Sequence, residues 1–81
     1  MQGLRVYISG SAAAGTPSQS KPEVFYSRRD EGPYYRWQYA VEAGRWRCSR
    51  VRLDLLPDSL RTAQKAVPPA LRIELLEHYL D

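Results

Sequence analysis

Apolar and polar side chains alternate along three runs in the middle of the chain, residues 24–29, 34–39 and 45–53, where aromatic residues interleave with arginines. Turn formers separate the runs: Asp30, Glu31, Gly32 and Pro33 first, then Glu42, Ala43 and Gly44. Alternation with a period of two, broken at hairpin spacing, predicts antiparallel strands. The fold class read from this pattern is α+β, with a three-stranded antiparallel meander over about 24–53 packed against two C-terminal helices.

Parity fixes the register of the second hairpin. A four-residue loop from Val41 to Gly44 sets Ala40 opposite Arg45, Tyr39 opposite Trp46, Gln38 opposite Arg47 and Trp37 opposite Cys48. Trp37, Tyr39 and Trp46 then share one face, and Arg36, Gln38, Arg45 and Arg47 share the other. A three-residue loop would scatter the apolar set, because a slip of one residue reverses the faces. Gly44 suits the left-handed position that closes such a loop.

In the first hairpin, Gly32 is free to take positive φ and Pro33, which has no N–H, belongs in the loop. That favours Arg29 opposite Tyr34, Tyr26 beside Trp37 and Val24 beside Tyr39, with Phe25 pointing away from the core. After Cys48 the apolar positions Val51, Leu53 and Leu55 fall out of phase with Trp46. A bulge near Ser49 and Arg50, or departure of the strand from the sheet, would reconcile them.

The C-terminal third reads as helical. Asp58 or Ser59 can cap a helix over about 58–66 with Leu60 and Ala63 inward. Pro68 and Pro69 end it and open a second helix over about 69–80, since proline is favoured in a first helical turn. Leu71, Leu75 and Tyr79 form its inner stripe, flanked by Ile73, Leu76 and Leu80. That stripe is wide enough to suggest a partner surface, with ordinary core packing the simpler account.

At the N-terminus Leu4, Val6 and Ile8 alternate with Arg5 and Tyr7, which suggests a short strand. Ser9 to Glu23 has almost no apolar bulk, so it reads as a mobile linker. The chain thus divides into residues 1–23, a short strand with a flexible segment, and 24–81, a single small domain. The strand could join a sheet edge, but disorder in isolation is the expectation.

With 81 residues the chain holds one domain at most. A domain near 60 residues buries only about 60% of its unfolded surface. Two Trp, six Tyr and one Phe supply the bulk of its core and leave little room for a deep catalytic cleft. One cysteine and one histidine exclude an intrachain disulfide and a Cys/His metal framework. The lone cysteine points to a reducing, cytoplasmic setting; no apolar run is long enough for a membrane span, and the segment interrupted by Arg5 is a poor signal peptide.

The net charge of +3 conceals a polarity. Arg28, Arg29, Arg36, Arg45, Arg47, Arg50 and Arg52 crowd the meander, whereas acids outnumber bases from residue 54 onward. Arginine far exceeds lysine and asparagine is absent, a bias that coding-sequence composition can also produce.

No constellation names a reaction. His78 near a helix end fits a dipole role better than a catalytic one, and Cys48 fits a small apolar packing role. The carboxylate pairs Asp30 with Glu31 and Glu74 with Glu77 have no burial signal, and Gly10 and Gly15 lead into no helix that would cradle a phosphate. The reading is a non-enzymatic module without metal or cofactor. It docks an acidic protein surface through Tyr34, Arg36, Gln38, Arg45 and Arg47, with Arg28 and Arg50 at the hairpin edges. Nucleic acid on the same face is the alternative, since guanidinium groups neutralise phosphates and aromatic rings stack on bases. The acidic tail tips the balance toward protein.

Overall fold

A computed structural model of the chain describes residues 3–9 and 24–80. Five strands, β1 (Leu4–Ser9), β2 (Val24–Arg29), β3 (Tyr34–Ala40), β4 (Arg45–Val51) and β5 (Leu60–Thr62), form one antiparallel sheet in the order β4-β3-β2-β1-β5. A single helix, α1 (Pro69–Tyr79), packs on one face. The α+β class holds, but the sheet has five strands rather than three and one helix rather than two. No helix among the described residues is long and apolar enough to cross a membrane.

The β3–β4 hairpin has the register that parity predicts, from Ala40 opposite Arg45 to Trp37 opposite Cys48. Ala43 and Gly44 donate their N–H groups to the Ala40 carbonyl, and Gly44 takes φ 66°. The left-handed backbone that closes the loop therefore falls on a residue without Cβ. Pairing continues without interruption to Tyr34 opposite Val51, so the bulge expected near Ser49 and Arg50 is absent. The strand simply ends, and a turn of 3₁₀ helix follows at Leu53–Leu55.

The β2–β3 register is one residue off the expected one. Arg28 lies opposite Tyr34, Tyr26 opposite Arg36, and Phe25 opposite Trp37. Phe25 is therefore fully buried, not turned away. The loop is longer by a residue because Asp30, not Gly32, takes positive φ (53°) and donates its N–H to the Gly3 carbonyl at 2.8 Å. An aspartate tolerates this conformation better than most side chains.

β1 is neither disordered nor an edge addition. It lies between β2 and β5, with Leu4 and Val6 almost fully buried. Its alternating apolar residues have a sheet face to fill, and both of its edges find partners. Residues 10–23, most of the segment read as linker, lie outside the described residues.

The helix expected over 58–66 is replaced by β5 and a 3₁₀ turn at Gln64–Ala66. Nine residues with only Leu60 and Ala63 turned inward gain little from helix formation, whose nucleation is costly. Pairing with β1 satisfies the backbone instead, and the Gln64 side chain donates to the Leu4 carbonyl at 2.8 Å. Pro68 and Pro69 start α1 as their chemistry requires.

The core lies between sheet and helix: Leu4, Val6, Phe25, Trp37 and Trp46 from the strands, then Ala63, Val67, Leu71 and Leu75. Both tryptophans thus share the covered face. Ile73 and Leu80 of the apolar stripe stay exposed, and Leu76 is at the margin.

Candidate anion-binding face

Cross-strand partners share a face of the sheet, so the register assigns every strand side chain to one side. The side away from α1 carries Tyr34, Arg36 and Gln38 from β3, Arg28 and Tyr26 from β2, Arg47 from β4, and Arg5 and Tyr7 from β1. No Asp or Glu occupies any of the five strands. Among the described residues the acids lie in loops, in the 3₁₀ turn at Leu53–Leu55 and on α1, and α1 is on the opposite side of the sheet.

The face is organised around two rings. Tyr7 and Tyr34 approach to 6.3 Å between centroids, tilted at 45°, and both are half-buried. The Arg28 guanidinium sits 4.8 Å over the Tyr34 ring, within the range of cation–π attraction. It also donates to the Gly32 carbonyl at 2.9 Å and to the Tyr34 hydroxyl at 3.3 Å, which fixes the end of the hairpin. Tyr26, flanked by Tyr7 and Arg36 in its row, is buried. Arg36 donates to the Gln38 side chain at 2.8 Å; Arg5, Arg36 and Arg47 are exposed.

Arg5 lies directly opposite Arg28. Like charges in adjacent strands repel. An anion placed between them would relieve that repulsion.

Of the residues expected here, Arg45 is engaged and Arg50 is placed elsewhere. Arg45 sits at the end of an edge strand, and its side chain reaches Glu74 of α1 at 3.5 Å, so that guanidinium already has a carboxylate partner. Arg50 lies opposite Tyr35 and so belongs to the helix-side face, because uninterrupted pairing leaves no bulge to turn it. Arg5, Tyr7 and Tyr26 were not singled out from the sequence. The alternation of Arg5 and Tyr7 with Leu4, Val6 and Ile8 is the signal that could have found the first two.

On the covered face, His78 lies edge-on to Tyr35 at 4.7 Å and to Trp37 at 5.3 Å, in the last turn of α1. Burial pushes the Cys48 thiol up to about 11. A thiol so disposed stays protonated near neutrality and is a poor nucleophile. Among the described residues, no group of three or more His, Cys, Asp or Glu side chains could hold a metal ion. Comparison of the chain with family models, with curated proteins and with solved structures finds no match in any of the three.

Proposed function

We propose that the protein is a non-enzymatic module that binds single-stranded nucleic acid across its open sheet face. The observation that carries this reading is the grouping of Arg5, Arg28, Arg36 and Arg47 with the Tyr7 and Tyr34 rings, on strands without a single carboxylate. Guanidinium groups bind phosphates, and half-buried tyrosines give unpaired bases a surface to stack on. Stacking on exposed ring faces needs unpaired bases, which favours a single strand over a duplex. The acidic residues of α1 no longer weigh against a polyanion, because they lie across the sheet from the arginines.

A labelled single-stranded oligonucleotide titrated at several salt concentrations tests this. Four neutralised phosphates correspond to a slope of log K against log salt of about −3. Arg5→Ala with Arg36→Ala should halve that slope, and Tyr7→Leu should weaken binding through lost stacking of about 1–3 kcal/mol. Absence of binding at low salt overturns the reading. Equal affinity for polyglutamate would transfer the face to an acidic protein partner.

A further inference from the structure

Among the described residues, β4 is an edge strand seven residues long, whereas the other edge, β5, has only three. An unpaired strand edge presents a row of backbone donors and acceptors that invites another strand. Proteins usually guard such edges with proline, bulges, short length or a covering element. β4 contains no proline, and its pairing with β3 is regular throughout. Its guard is charge: Arg45, Arg47 and Arg50 are all exposed.

Along this edge runs a recess of about 570 Å³ between β4 and α1. Trp46 and Cys48 of β4 line it from one side, and Glu74, Glu77 and His78 of α1 from the other. The helix residues fall at i, i+3 and i+4, so they make one stripe facing the strand. Strand edge and groove together form the arrangement in which extended peptides add to a sheet, with backbone bonds giving affinity and alternate side chains giving specificity.

Charge selects the occupant. A second copy of β4 would bring the arginines of both copies together along one seam. An acidic strand would meet Arg47 with opposite charge, a favourable cross-strand pair. Within the recess the preference reverses: Glu74 is already paired with Arg45, while Glu77 is exposed and would repel a carboxylate. Apolar side chains suit that side, against Trp46 and Cys48.

We propose that the β4 edge accepts an extended acidic segment of another protein as an additional strand, its apolar side chains entering the β4–α1 recess and its carboxylates opposite Arg47. This site shares Arg47 with the open face but needs the β4 backbone edge and the recess as well, and Arg36, in the middle of that face, distinguishes the two.

The probe is a capped peptide of alternating Glu and Val, seven residues long, titrated against the full chain by tryptophan fluorescence and by amide exchange. Binding should protect β4 amides, and Arg47→Glu should weaken it about tenfold, the scale of one reversed cross-strand charge pair. Arg36→Ala should leave it unchanged. The same peptide N-methylated at alternate residues keeps the charge but loses the backbone donors, so it should not bind. Equal binding of the methylated peptide, a loss with Arg36→Ala as large as with Arg47→Glu, or no binding at millimolar peptide would each overturn the proposal. So would sedimentation showing that peptide-free protein already pairs two copies through β4.

Discussion

Ser27 is the one buried polar side chain among the described residues, and it joins three elements. Its Oγ accepts the Trp37 indole N–H at 2.8 Å and shares a hydrogen bond of 2.8 Å with the Tyr79 hydroxyl. One hydroxyl can accept from the indole and still donate to the phenol, so both partners are satisfied. Ser27→Ala strands a buried indole N–H, and a loss of about 1–3 kcal/mol in urea unfolding is expected. Nothing in the sequence marked this residue. Val24, Phe25 and Tyr26 are consecutive and apolar, so alternation alone leaves the parity of β2 undecided. A register placing Tyr26 beside Trp37 sends Ser27 outward; the hydrogen-bond requirement of the Trp37 indole and the backbone turn at Asp30 favour the other choice. Cys48 offers a second test at this scale. A folded pKa raised from 9.0 to about 11 means that the native state holds a proton the unfolded chain releases. Stability is then level below pH 9 and falls as pH rises from 9 toward 11, a fall that Cys48→Ala should reduce. The Tyr79 hydroxyl, also pushed up chiefly by burial, adds to the alkaline loss.

Elements were legible where their contacts are local. The β3–β4 hairpin followed from four loop residues and one parity rule, and α1 from two prolines and a stripe at helical spacing. Gly44 takes φ 66° with no atom near a prospective Cβ, so Gly44→Ala should cost about 1 kcal/mol of backbone strain alone. Gly3 takes φ 83°, and a Cβ there would lie 2.5 Å from the Asp30 carboxylate, an exposed side-chain end that can rotate away, so Gly3→Ala should cost a similar amount of backbone strain in the same unfolding measurement. The alternation at Leu4, Val6 and Ile8 marked β1 as a strand but not its interior place, and β5 was not legible at all, for a common reason. The two pair across more than fifty residues of sequence, and β5 has no other strand partner. Propensity in a local window contains no record of that pairing. Because β1 is interior, Val6→Asp should unfold the whole domain, as burial of an unpaired charge implies. Unchanged tryptophan fluorescence and an unchanged unfolding midpoint would instead mark β1 as a detachable arm.

For the molecule as a whole, the sheet separates two chemistries. One side is the core, sealed by α1; the other gathers arginine and tyrosine from four strands. The sequence disclosed the excess of arginine in the meander and the acids beyond it, but charge along a chain does not say which acids will lie near which arginines. Helix packing decided that, leaving Glu74 to pair with Arg45 round the sheet edge while Arg5, Arg36 and Arg47 stay exposed. The contribution of Arg5 also depended on β1 entering the sheet. A domain whose outer face is this positive should elute later from a cation-exchange resin than its net charge of +3 suggests, and Arg36→Ala should shift elution more than Lys65→Ala.

The position of β1 also bears on how the protein is made. Of the five strands it is made first, yet one of its two neighbours is β5, and the Gln64 amide that holds the Leu4 carbonyl is sixty residues away. A nascent chain can close the β2–β3–β4 meander early, but β1 keeps an open flank until nearly all of the described sequence has emerged. Contacts so distant along the chain slow folding. Completion of the sheet is thereby deferred until β5 has been made, and a chain halted before residue 60 would display Val6 and Ile8 on an unguarded, adhesive border.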